Sequence, residues 1–323
     1  MVYILVYKKF FFTNSVVILT EGGNELGYGH LMRCLAIAHG FIEMNIDSVF
    51  YLRGEPAVEE ILKGFSFHLI DWTEQPVDVK DKIVIVDSYY ADENACRKVY
   101  KDAKAVLFID DYNRIPYPGG FVLNSVVGAE TLCYPDNPDL IYLLGQKYHP
   151  LRREFWDVPE KVINDKVGKI LITFGGSDIT NHTPVVLKIL NYKYSDLEKH
   201  VIVGKGYSNI DVIEAEADEK TVLIFYPDAE RMKQEMVECD IAISGAGQTL
   251  AELARVGVPT YCIKVADNQD VNIQNWKKTG FIMEGDIYNG MPDLSDRRNS
   301  SFKGRSIIDG LGVKRCVELL LNV

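Results

Sequence analysis

The chain has 323 residues, 47% hydrophobic and 25% charged, the composition of an ordinary water-soluble globular protein. That length exceeds the roughly 250–300 residues at which a single hydrophobic core stops growing, so two domains are expected. A formal net charge of -11, with no basic stripe to offset it, excludes nucleic acid and anionic membrane surfaces as expected partners.

Taken in chain order, Met1 to Thr20 is apolar but split by Lys8 and Lys9, with no small-residue cleavage site after it. It fits neither a signal peptide nor a membrane span, and a cytoplasmic location is expected. Met1 to Asn14 is read as an extension, and 16–20 as the first core strand. Then comes Glu25-Leu26-Gly27-Tyr28-Gly29-His30-Leu31-Met32-Arg33, which opens a run of helical spacing through Leu31, Cys34, Leu35, Ala38 and Ile42. Two glycines ahead of a helix let a ligand approach the backbone, and the first amides of the helix are free to meet negative charge. His30 falls in the first turn, at the positive end of the helix dipole, which favours the neutral ring that a general base needs.

Further apolar strands are expected near 48–52, 67–70, 83–87, 105–110 and 121–124. Two of them, Ile83-Val84-Ile85-Val86-Asp87 and Ala105-Val106-Leu107-Phe108-Ile109-Asp110-Asp111, are nearly continuous hydrophobics ending in aspartate. Buried parallel strands read this way, with polar residues at the carboxyl ends where ligands bind. After Leu151-Arg152-Arg153-Glu154-Phe155 the chain turns charged and irregular, so the linker is placed near 155–167. The expected domains are 1–155, for sugar and catalysis, and 168–323, for the nucleotide, with packing of the C-terminal helix back onto the first domain allowed for. The second half restarts the alternation with strands near 169–174, 200–204, 221–226, 240–244 and 259–264. Its helices are expected at 181–193, 229–238, 247–256, 268–279 and 309–321. The fold class is therefore α/β: two Rossmann-like domains facing a cleft between the carboxyl ends of their sheets.

Two turns in the second half place small residues and free amides between a strand and a helix: Gly175-Gly176-Ser177-Asp178 and Ser244-Gly245-Ala246-Gly247, the latter followed by Gln248 and Thr249. Together they suggest a diphosphate held by two helix ends. Glu252, on the second helix about two turns from Ser244, is placed to accept hydrogen bonds from ribose hydroxyls. Asn268 and Gln269 open another helix and are candidates for gripping sugar hydroxyls or acetamido groups. The glycines fit neither a Walker A loop nor G-x-G-x-x-G, because Met32 stands where the third glycine belongs. A D-x-D metal motif and a G-x-S-x-G elbow are also missing, so no metal and no cofactor are expected. Six scattered cysteines without C-x-x-C read as buried free thiols. His39, His68, His149, His182 and His200 do not cluster in sequence.

These motifs in this order resemble the UDP-2,4-diacetamido-2,4,6-trideoxy-β-L-altropyranose hydrolases of pseudaminic acid biosynthesis and the related spore-coat-type nucleotide-sugar proteins. The resemblance runs from about Val16 to the C-terminus. It rests on Gly27-Tyr28-Gly29-His30 with Arg33, Asp87-Ser88-Tyr89, Asp110-Asp111, Leu151-Arg152-Arg153-Glu154-Phe155 and the two glycine turns, together with Thr249, Glu252 and Asn268-Gln269. It implies a GT-B architecture and hydrolysis of the bond between the anomeric carbon and UDP. His30 would activate water, with Tyr28, Gly29, Arg33, Tyr89, Asn268 and Gln269 around the sugar. The C-terminal turns would hold UDP. One departure stands out: the family's first strand ends with a basic residue and then an aspartate, where this chain has Leu19 and Glu21. Sugar transfer on the same architecture, and nucleotide-sugar binding without catalysis, are the alternative readings.

Overall fold

The computed structural model describes residues 16–23, 27–176, 178–265, 269–285, 287–288 and 290–323. The extension Met1 to Asn14, and the site candidates Ser177 and Asn268, lie outside the described residues. In chain order the elements are β1 (Val16–Gly22), α1 (Gly29–Glu43), β2 (Ser48–Gly54), α2 (Val58–Ile61), β3 (Ser66–Leu69), β4 (Ile83–Asp87), α3 (Glu93–Asp102), β5 (Ala105–Ile109), β6 (Gly120–Asn124) and β7 (Leu140–Leu144). There follow β8 (Lys169–Thr173), α4 (His182–Lys193), β9 (Glu198–Val203), α5 (Ile210–Glu216), β10 (Thr221–Phe225), α6 (Ala229–Glu238), β11 (Ile241–Ser244), α7 (Gln248–Val256), β12 (Thr260–Cys262), α8 (Asp270–Thr279), α9 (Leu294–Ile307) and α10 (Gly312–Leu321).

The strands form two wholly parallel sheets, ordered β3-β2-β1-β4-β5-β6-β7 and β10-β9-β8-β11-β12. Each first strand of its half, β1 or β8, sits inside its sheet, and the chain order reverses there. This is the switch-point topology that leaves a crevice at the carboxyl ends. The central strands are apolar on both faces because helices cover both: Val17 and Leu19 pack into one cluster, Val16 and Ile18 into another. Five elements escape the sequence reading in part or whole: β7, α2, α3, α5 and α9. The face that α9 buries consists of Arg297, Ser300, Ser301 and Gly304, so it shows no apolar period. Among the cysteines, Cys34, Cys96, Cys239 and Cys316 are buried, whereas Cys133 is exposed, a correction to the expectation of buried thiols.

The last helix returns to the first half. Val313, Cys316, Val317 and Leu320 of α10 join the core cluster of α1 and the first sheet. Just before it, Ile308 still belongs to the second core. The returning segment runs against the outgoing one: a Cβ on Gly310 would lie 2.6 Å from the Trp156 carbonyl. Arg255 donates to the carbonyls of Phe155 and Trp156 beside them, at 3.1 and 2.7 Å.

Gly40 is what lets α1 and α10 meet. A Cβ there would stand 2.4 Å from Val313 Cγ1 and 3.0 Å from Val317 Cγ2, both on stiff branched side chains. Alanine gains up to about 1 kcal/mol in helix propensity, but overpacking a filled contact costs about 1–3 kcal/mol. Gly40→Ala is therefore expected to lower stability by about 1–2 kcal/mol in urea unfolding. An unchanged or raised midpoint would show that the two helices do not meet there.

Candidate active site

The carboxyl ends of β1, β4 and β5 bring together residues distant in sequence. Register pairs Thr20 with Asp87, so Glu21 and Asp87 end neighbouring strands, and Asp111 follows β5. Opposite them, α1 opens directly from the glycine turn, with His30 in its first turn and Arg33 three residues on, the spacing that puts both on one face.

Asp87 is fully buried and accepts from both: His30 Nδ1 at 2.6 Å and Arg33 Nη2 at 2.8 Å on Oδ1, and Arg33 Nε at 2.5 Å on Oδ2. Arg33 also spans Asp111, through Nη1 at 2.8 Å and Nη2 at 3.0 Å. One planar guanidinium thus holds two carboxylates in paired geometry, a use lysine cannot serve. Burial opposes the charge on Arg33, but Asp87 and Asp111 outweigh it and raise its pKa. Burial likewise pushes Asp111 up, yet Arg33 and the Tyr89 hydroxyl hold it below the ordinary carboxylate value.

An ionised carboxylate only accepts, so its short contact with His30 puts a proton on Nδ1, and in the neutral ring the lone pair is then on Nε2. The sequence reading takes the neutral ring of His30 from the helix dipole and its role from the resemblance; the structure adds a carboxylate on Nδ1 as the group that sets its tautomer. Tyr89 packs edge-on against the imidazole, with centroids 4.4 Å apart. Its hydroxyl donates to Asp111 Oδ2 at 2.7 Å and its amide to Glu21 Oε1 at 2.8 Å. The pair Asp110-Asp111 divides its work. Asp110 is spent on structure, accepting from the amides of Asn113 and Arg114 and from the hydroxyls of Tyr117 and Tyr134.

In the second half, Gly175 turns the chain after β8 with φ +83°, and Gly245, Ala246 and Gly247 lead from β11 into α7. Among the described residues no atom lies within 4 Å of a Cβ built on Gly29, Gly176 or Gly247, and none of the three has a positive φ. Neither packing nor backbone conformation explains glycine at these positions. Asp178 is buried and caps α4, accepting from the amides of His182 at 2.9 Å and Thr183 at 2.7 Å. That corrects the sequence expectation of open amides at the start of α4, since two of them are already satisfied. Ser244 donates to the Gly245 carbonyl, Thr249 is partly buried in the first turn of α7, and Gln269 accepts from the Val265 amide at 3.0 Å.

Glu252 is buried and gripped by Arg152 through Nε at 2.5 Å and Nη2 at 2.7 Å. The sequence reading gave Glu252 no protein partner; the structure gives it one from the chain's first half. Each oxygen keeps a lone pair, so the carboxylate can still accept from a ligand. A second link between the halves escaped the sequence reading. His149 lies against the Ser125 carbonyl and the Gln248 side chain at the start of α7, with Arg33 and Asp111 near enough to affect it. Burial pushes its pKa down to about 4, so the ring is neutral at ordinary pH. Nothing local to Tyr148-His149-Pro150 signals this role. Among the described residues no group of three or more His, Cys, Asp and Glu side chains is arranged to hold a metal ion.

Two parallel-sheet halves with their glycine turns at the carboxyl ends define an α/β protein of GT-B type. Solved structures agree on the fold. The chain superposes on the calicheamicin glycosyltransferase CalG4 with TM-score 0.64 at 11% identity, covering 96% of this chain and 98% of that one. The corresponding values for MurG of Acinetobacter baumannii are 0.59, 15%, 96% and 100%. More particularly, the chain is a homologue of three proteins. It is 26% identical to an uncharacterized protein of Methanocaldococcus jannaschii, over 76% of this chain and 54% of that one. It is 25% identical to the pseudaminic acid cytidylyltransferase and UDP-2,4-diacetamido-2,4,6-trideoxy-beta-L-altropyranose hydrolase of Helicobacter pylori, over 80% of this chain and 46% of that one. It is 23% identical to the spore coat polysaccharide biosynthesis protein SpsG of Bacillus subtilis, over 95% and 98%. The chain spans about half the length of the first two. No family model matches it. No helix among the described residues is long and apolar enough to cross a membrane.

The lowered pKa of Asp111 has a consequence for stability. Its contribution is complete above the unfolded value near 3.8 and is lost as pH falls through the lower native value. Asp111→Asn is expected to lower stability at neutral pH and to flatten the decline expected from about pH 5 downward in denaturant unfolding. An acid limb as steep as that of the parent chain would mean that Asp111 is not held by Arg33.

Proposed function

We propose that the protein is a nucleotide-sugar enzyme that hydrolyses a UDP-linked diacetamido-trideoxy sugar, UDP-2,4-diacetamido-2,4,6-trideoxy-β-L-altropyranose or a close relative, to free sugar and UDP. The observation that carries this reading is the His30–Asp87 pair: Nδ1 tied to a buried carboxylate and Nε2 left to take a proton. The Helicobacter pylori relative, named for that hydrolase activity, supports the substrate class.

In this reading UDP lies against the turns of the second half, with its diphosphate toward the amides that open α7 and its ribose toward Glu252. Glycine at Gly29, Gly176 and Gly247, unexplained by packing, leaves room for a ligand to reach the backbone. The sugar lies toward His30, Arg33 and Tyr89. Water attacks the anomeric carbon; as the new carbon–oxygen bond forms, the bond to the diphosphate oxygen breaks and UDP leaves with the electron pair. Nε2 takes one proton from the water, and Asp87 stabilises the imidazolium that results. Charge growing on the diphosphate is met by fixed amides rather than a metal ion.

His30→Asn is expected to lower kcat by about 10²–10⁴-fold, the contribution of a positioned base, with UDP affinity kept because the diphosphate turns lie in the other half. In ¹⁸O-water the label should enter the sugar. Label on the nucleotide would mean attack at phosphorus and would sink the mechanism, and an absolute need for an acceptor sugar or lipid would favour transfer over hydrolysis.

UDP release should also survive EDTA without added magnesium. Activity lost to EDTA and restored by magnesium would replace the amide-based account of the leaving group with a metal-based one.

A further inference from the structure

Glu21 is the residue at the site that the reaction as described leaves unused. Its carboxylate is 2% exposed at the end of β1, a position where a side chain with no task besides packing would be apolar. Each oxygen is fixed by one donor, Oε1 by the Tyr89 amide at 2.8 Å and Oε2 by the Ser88 hydroxyl. Ser88 is itself locked, since its oxygen accepts from the amides of Tyr90 and Ala91 at 3.0 and 3.2 Å. So oriented, Oε1 stands 3.9 Å from His30 Nε2, the ring nitrogen that Asp87 does not engage.

That distance is too long for a direct hydrogen bond, and it suits a shared partner. An oxygen about 2.8 Å from both atoms would see them at an angle of about 85–90°, near enough to the H–O–H angle for one water to donate to each. Resting on the hydrolytic reading above, we propose that Glu21 is a second catalytic residue that holds the attacking water jointly with His30. One O–H points at Nε2, which takes that proton when the oxygen bonds to the anomeric carbon. The other points at Oε1 and stays on the product as its anomeric hydroxyl. A lone pair of the water is thereby aimed away from both groups, toward the sugar. Glu21 takes up no proton in the step, so the proton and electron count are those of the hydrolysis itself. The length of the side chain is part of the device. An aspartate here would withdraw the carboxylate by about one carbon–carbon bond, roughly 1.5 Å.

Two measurements test the assignment. A crystal structure of the UDP-bound protein is expected to show one water within hydrogen-bond distance of both Nε2 and Oε1. A direct contact between the two groups, or no water between them, would overturn the proposal whatever the enzyme's substrate. In kinetics, Glu21→Gln and Glu21→Asp are expected to lower kcat, the latter by about 10²-fold as for a misplacement of an ångström or so, with KM and UDP affinity little changed. Near-parental kcat in both variants, or loss of UDP affinity and melting temperature in step with kcat, would reduce Glu21 to a structural role. Failure of the parent chain to release UDP from any nucleotide sugar would count against hydrolysis, while the crystallographic arm still judges the shared water.

Discussion

Everything at the carboxyl edge of the first sheet depends on Arg33 lying between Asp87 and Asp111. A buried carboxylate and a partly buried one at the ends of adjacent strands would repel each other and the fold around them unless one cation faced both. Arg33 does so with three of its nitrogens, and that leaves Asp87 free to orient His30. Tyr89 is held in turn, because its hydroxyl rests on Asp111 and its ring on His30. Removing the guanidinium would therefore undo the base, its tautomer and the aromatic wall together, whereas each outer member could be lost alone.

The second half of the chain meets this arrangement through side chains rather than a shared sheet. Arg152 reaches Glu252 on α7, and Asn275 of α8 donates to the Val127 carbonyl at 2.8 Å. At the outer rim, Lys205 pairs with Glu60 at 3.0 Å between exposed side chains, where such a pair contributes little to stability. The inner contacts are partly buried and the outer one is solvated, so the links nearer the floor are the better shielded. His149 belongs to the floor, and its neutral ring lets it sit beside Arg33 without adding a second positive charge.

The parts of this protein legible in its sequence are those written in local pattern. Continuous apolar runs ending in aspartate announced β4 and β5, and glycine turns before apolar periodicity announced α1 and α7. What could not be read was set by distance along the chain. Asp87 and His30 are 57 residues apart, and Arg152 and Glu252 are 100 apart. Nothing in either neighbourhood states that they touch. Glu21 was visible as an unusual strand ending, but its closeness to His30 is a product of the fold and not of local pattern. Helix α9 was unreadable for another reason. It buries serine and glycine against α7 and Phe281, where close backbone approach takes the place of apolar side chains: a Cβ on Gly304 would lie 2.8 Å from the Ala254 carbonyl. Periodicity carries no signal when the buried face is polar and small.

The return of α10 to the first core gives the chain two crossings between its halves, and Gly310 lies against Trp156 where they pass. Two links set far apart would lock the halves as a frame. Two links side by side act as a hinge pin, leaving rotation about their common line as the soft motion and resisting shear and twist. Rotation about that line would carry the Gly245–Gly247 turn toward or away from His30 along a fixed arc. A ligand held by one half would then be presented to the other in one orientation.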